Sequence, residues 1–195
     1  MAKTLSSRTR SRSCAFFGAL LGFGLRRWAR LAFTCSLAAA CTQEGRPAVD
    51  ATTRSSGVAP EFSWLTIDGQ RLGSRELQGR RTLLEFITLH EAASQLVAKQ
   101  GEDFLHQSTP RINVIGVIME GSEYQQLAPA FREGVGISYP LVMADTWLLG
   151  GHSPYGEIDF LPLTLVLDEN AAETERFLGP PSEAQLSEAL ARALR

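Results

Sequence analysis

Glu85-Phe86-Ile87-Thr88-Leu89-His90-Glu91-Ala92-Ala93-Ser94 joins two different patterns. Upstream of it, residues 82–88 are apolar at adjacent positions, as a strand buried on both faces requires. Downstream, Ala92, Leu96, Val97 and Phe104 recur at helical spacing. That spacing predicts a helix from Glu91 to about Leu105, with Gly101 weakening its end.

Outward from this junction the alternation continues. Residues 112–118 read as a second buried strand. Residues 123–133 read as a helix on Tyr124, Leu127, Ala128 and Phe131, although Pro129 lacks the N–H an inner turn needs. Residues 139–143 begin a third strand, and a long loop is expected from Ala144 to Phe160. Residues 163–167 and 173–177 form an antiparallel pair around the turn Asp168-Glu169-Asn170-Ala171. Ser182 and Gln185 make a capping box for a last helix, with Leu186, Leu190 and Leu194 on its buried side. Before the junction, residues 62–67 and 70–72 are a hairpin whose Asp68-Gly69 predicts a type I′ turn, and Ser74-Arg75-Glu76-Leu77 is a helical turn. Hairpin followed by β-α-β-α-β-β-α is an α/β sandwich with a mixed central sheet.

Charge is divided unevenly. Lys3, Arg8, Arg10, Arg12, Arg26, Arg27 and Arg30 precede the first acid, Glu44. Of the 19 basic residues only twelve then remain, against 21 acids. A domain that acidic is a poor binder of nucleic acid, which requires clustered Lys and Arg. The three cysteines are Cys14, Cys35 and Cys41, so no dithiol can exist in the folded part. His90, Glu91, His106 and His152 lack ligand spacing, so neither a metal nor a cofactor is expected. His90 and Ser94 are four apart and could share a helix face, but no orienting acid or oxyanion hole can be assigned to them.

The first 40 residues are basic, then apolar, then small. Residues 31–40 have secretion-signal length and end in Ala38-Ala39-Ala40-Cys41, which resembles a bacterial lipobox. The resemblance implies cleavage before Cys41 and lipidation of its thiol. Residues 1–40 are thus expected to be a lipoprotein-type signal peptide, and 41–58 the lipidated cysteine and a flexible tether. Thr42 is not the Asp that retains lipoproteins at the inner membrane, which favours the outer membrane in a Gram-negative envelope.

Residues 59–195 resemble the thioredoxin-like domain of TlpA/ResA-type and AhpC/TSA-type redoxins. Ala59-Pro60-Glu61-Phe62 is similar to the family's A-P-x-F opening, and Asp68-Gly69 to its D-G hairpin. Leu77-Gln78-Gly79-Arg80 is similar to L-x-G-K, and Gly134 to Pro140 to Y-G-I-x-x-F-P. Tyr155 to Thr164 resembles Y-G-V-x-G-L-P-T-T, and Leu167-Asp168 the L-I-D that follows. The resemblance implies a three-layer sandwich with an N-terminal β-hairpin and a cis proline at Leu161-Pro162. It also puts the family's W-C-x-x-C on His90-Glu91-Ala92-Ala93-Ser94, so Glu91 and Ser94 occupy the cysteine positions and no catalytic residue is expected. Disulfide exchange needs a thiolate that can attack and leave, which neither a carboxylate nor a serine hydroxyl supplies.

Glu85 falls where the family holds a buried proton-shuttling acid; here it is expected to be held by Arg80, Arg81 or water. His90, Glu91, Leu161 and Pro162 are candidates for a peptide groove, flanked by the apolar loop Trp147 to Pro154. The expected function is a redox-inactive, lipid-anchored accessory factor that binds an envelope protein or peptide on the periplasmic side. The alternative is a redoxin that uses a partner's cysteine or an unrecognised site.

Overall fold

The computed structural model describes residues 59–194. The expected signal segment, the lipidation site Cys41 and the tether lie outside the described residues. In chain order the elements are β1 (Ser63–Leu65), β2 (Arg71–Gly73), α1 (Ser74–Leu77), β3 (Thr82–Ile87), α2 (Ala92–Gln107) and β4 (Asn113–Ile118). A 3-10 turn (Ser122–Leu127) leads into α3 (Ala128–Val135), then β5 (Leu141–Met143), α4 (Thr146–Leu149), β6 (His152–Ser153) and β7 (Gly156–Glu157). β8 (Leu163–Leu167), β9 (Glu173–Leu178) and α5 (Glu183–Arg192) complete it.

The main sheet has the order β5-β4-β3-β8-β9. β3 lies parallel to β4 and antiparallel to β8, and β5 and β9 close the edges. Every residue of β3 is buried. Its side chains alternate between two cores, because successive residues of a strand point to opposite faces. Leu83 and Ile87 join a cluster with Val97 of α2, Phe131 of α3 and Leu186 of α5. Leu84 and Phe86 join another with Trp64 of β1, Leu77 of α1 and Leu148 of α4. The expected mixed sheet between two covering layers, with a hairpin at its N-terminal side, is the architecture found.

Several local expectations are corrected. The first hairpin does not turn through a type I′ pair. Gly69 alone has positive φ, Gly69 N–H reaches Thr66 O at 2.9 Å, and Thr66 N–H reaches Gln70 O at 2.8 Å. This is a three-residue loop with glycine at its left-handed position. Asp68 instead receives both guanidinium arms of Arg132 at 2.9 and 2.8 Å, which ties the loop to α3. Pro129 does not sit inside a helix: the backbone runs as a 3-10 turn to Leu127, and Pro129 falls in the first turn of α3, where its missing N–H costs nothing. Leu96 is exposed, and α2 buries Ser94, Val97, Ala98, Gly101 and Glu102 instead. α5 ends at Arg192, so Leu194 is exposed, and Ala189 and Ala193 fill the buried side beside Leu186 and Leu190. The long loop after β5 contains α4 and the small β6-β7 hairpin. Among the described residues no helix is long and apolar enough to cross a membrane.

Candidate functional site

The junction quoted at the outset lies at the end of the sheet where β3 stops and α2 starts. Glu91 is the N-cap of α2, in extended conformation, not the first residue of its first turn. Its carboxylate makes no capping bond to the helix N–H groups. Its Oε2 instead accepts from Thr88 Oγ1 at 3.3 Å and from Ser94 Oγ at 3.5 Å. Ser94 is wholly buried, and its Oγ also accepts the Thr88 N–H at 3.0 Å. The hydroxyl therefore serves to close the strand-to-helix turn.

Glu120, just beyond β4, completes the site. Its Oε1 accepts the Leu89 N–H at 2.8 Å, while its Oε2 is enclosed without a hydrogen-bond partner. Loss of water raises its carboxyl above the ordinary range, against the pull of the Leu89 bond and of His90, and the nearby Glu91 charge raises it further. His90 is exposed and meets Tyr124 edge-on, at a ring separation of 6.1 Å. His90 and Ser94 make no hydrogen bond, so the base-and-nucleophile pairing does not form. His106 pairs with Glu102 at the far end of α2, and His152 lies against Trp147 in the loop.

Leu161-Pro162 is cis. The register Phe86↔Leu163 leaves both residues at the sheet end where β3 runs into Thr88. Pro162 is buried, its carbonyl accepting the Gly179 N–H at 2.8 Å, and Leu161 packs on the second core. Topology thus brings Leu161 and Pro162 to the same end as His90 and Glu91, on the neighbouring strand. Arg176 anchors the loop that leads there. It pairs with the buried Glu173 at 2.9 Å and donates to the Tyr155 and Glu157 carbonyls.

Glu85 lies below the site, under α2, and neither expected arginine holds it. Arg81 turns to the carbonyls of Leu190 and Pro110. The partner is Tyr139, whose Oη is 2.8 Å from Glu85 Oε2 and 3.1 Å from Ala98 O. A hydroxyl has one proton to give. Both contacts are hydrogen bonds only when Glu85 is protonated and donates to Tyr139, which then donates to Ala98. Burial agrees: it pushes the Glu85 carboxyl up to about 8, against the downward pull that the Tyr139 hydroxyl exerts when it donates to the ionised carboxylate instead. Gly101 gives the carboxyl its room, since a Cβ there would lie 2.4 Å from Glu85 Oε1. Thr164, across the ladder from Glu85, is buried with its hydroxyl unpaired and supplies no charge.

Sequence reasoning missed Thr88, Glu120, Tyr139 and Arg176. The first two have no signal beyond adjacency to turns. Gly101 could have been found: a glycine at mid-helix costs about 1 kcal/mol against alanine, so it needs a packing reason.

No protein-family model matches the chain, and no curated protein sequence does either. Solved structures do. A thioredoxin-family thiol:disulfide interchange protein from Chlorobium tepidum TLS is 23% identical, with a TM-score of 0.59 over 72% of this chain and 99% of that one. A secreted disulfide oxidoreductase from Mycobacterium tuberculosis is 16% identical, with a TM-score of 0.55 over 67% of this chain and 95% of that one. An exposed lipoprotein thioredoxin from Streptococcus pneumoniae strain TIGR4 is 14% identical, with a TM-score of 0.53 over 68% of this chain and 98% of that one. At these identities the likeness establishes the fold, which is thioredoxin-like.

Proposed function

We propose that this thioredoxin-like domain is a redox-inactive binding protein of the cell envelope, held at the membrane through a lipid on Cys41. The structures it resembles are described as thiol:disulfide interchange and disulfide oxidoreductase proteins, one of them secreted and one an exposed lipoprotein. Their chemistry requires thiols, and this sequence has none after Cys41. The observation that carries the reading is the state of the helix start. Ser94 is buried and hydrogen-bonded into the turn, and the groups left at the surface are Glu91 and His90. Such a site can recognise but cannot exchange.

The recognition surface in this reading is His90 and Glu91 with the strand segment at Leu161 and Pro162. A peptide lying there adds a strand beside the cis proline. With the exposed Glu91 as its acidic group, the site favours a segment bearing a basic side chain. The test is capture from an envelope extract by the wild type, by Glu91→Lys and by Leu161→Asp. The same protein is expected on the wild type and lost from both variants; equal recovery on all three refutes the groove. The anchor has its own test: Cys41→Ala should move the protein from the membrane fraction to the soluble fraction.

A further inference from the structure

The 3-10 turn that precedes α3 stands beside the α2 start and leaves apolar side chains exposed. Three residues complete one turn of such a helix, so side chains three apart eclipse. Tyr124 and Leu127 are three apart, and they are 41% and 38% exposed. Tyr124 meets the His90 ring edge-on, with 6.1 Å between centroids. The line continues into α3, where the exposed Ala130 and Gly134 follow Leu127 on one helix face. Leu127, Ala130 and Gly134 border a depression of about 380 Å³ that His90 and Gln95 line from the α2 side. A Cβ on Gly134 would meet nothing within 4 Å, so that side of the depression is open. Among the described residues its lining holds no lysine, arginine or carboxylate.

We infer that this depression is a second subsite of the recognition surface, taking an aliphatic or aromatic side chain of the bound segment next to the basic one taken by Glu91. The inference rests on the proposed reading of the α2 start as a peptide-binding site. His90 joins the two subsites, because it lines the depression and precedes Glu91 in the chain. The shape fits a peptide side chain and not a free small molecule. The depression is open, so a loose ligand would keep much of its surface in water. A side chain on a backbone already held beside Leu161 and Pro162 gives up less freedom on docking. The chemistry fits as well. Covering Tyr124 and Leu127 removes apolar surface from water. A charged side chain placed there would lose water without an opposite charge in the lining. The bound segment is therefore of the class that carries a basic residue beside a large apolar one.

Selection of a random peptide display library on the purified full chain tests it. Wild type should enrich peptides with a large apolar residue within about two positions of a lysine or arginine, since alternate residues of an extended segment share a face. The double variant Tyr124→Ser/Leu127→Asn removes the apolar wall. Leu127 is the N-cap of α3, a position that asparagine favours, so the variant should keep the wild-type circular dichroism spectrum. A synthetic peptide from the enriched set should bind that variant about tenfold or more weakly than the wild type, read by fluorescence polarisation. Replacing the apolar residue of the peptide by serine should weaken binding to the wild type by as much and leave binding to the variant unchanged. Equal loss on both proteins overturns the subsite. Enrichment for basic residues with no apolar preference also overturns it, and leaves the reading of the α2 start standing. No enrichment at all overturns both.

Discussion

Glu85 is a carboxyl placed where water cannot reach it, hydrogen-bonded to Tyr139, whose hydroxyl also reaches the Ala98 carbonyl. The folded chain holds its proton more tightly than the unfolded chain does. Stability is therefore full below the ordinary carboxylate pKa and falls as pH rises toward about 8. Glu85→Gln keeps the shape and removes the titration. The two proteins should melt within about 1 kcal/mol of each other near pH 4, and at about pH 9 the variant should be the more stable by a few kcal/mol, at about 1.4 kcal/mol per unit of pKa. Equal pH profiles would show that Glu85 is not held neutral. Gly101 is coupled to it. Gly101→Ala should cost about 1–3 kcal/mol by crowding the carboxyl, against the roughly 1 kcal/mol that alanine normally gains in a helix. In a Glu85→Ala background the same change should stabilise, and a double-mutant cycle in urea reads the difference. From sequence, Glu85 was recognisable as a buried acid and its partner was not. Tyr139 is 54 positions away, and only the parallel register of β4 and β5 brings it near.

At the scale of elements, periodicity located strands and helices and misjudged how they end. β3 was legible because an unbroken apolar run has one meaning in a sheet covered on both faces. Leu96 and Leu194 misled because an apolar residue on a helix is no guarantee of burial, and alanines on the same helix pack closer. Pro129 was readable as a helix breaker, and its true place is a helix start. The loop from Ala144 to Phe160 showed no periodicity because its order comes from elsewhere in the chain. Arg176 of β9 binds the Tyr155 and Glu157 carbonyls and the buried Glu173 together. Arg176→Met should therefore cost about 3 kcal/mol, mostly by leaving Glu173 buried without its cation. Adding Glu173→Gln should recover part of that loss. A single variant within 0.5 kcal/mol of the wild type in chemical denaturation would mean that the loop is held by packing alone.

At the scale of the molecule, a thioredoxin-like sheet carries a strand-to-helix junction built from the oxygen side chains of Thr88, Glu91 and Ser94. The junction is stabilised by its own hydrogen bonds. Thr88, Glu91 and Ser94 close the turn, and the helix N-terminus favours the negative charge at Glu91. The architecture was legible from the order of elements and the short words at their boundaries. The acidic neighbour Glu120 was not, because it reaches the site from the next strand. Reduction of insulin disulfides by the purified chain, with Cys14, Cys35 and Cys41 each replaced by serine, tests the central claim most directly. Wild type should not exceed the buffer blank, and Glu91→Cys/Ser94→Cys should gain measurable turnover. Wild-type turnover above the blank would contradict the account.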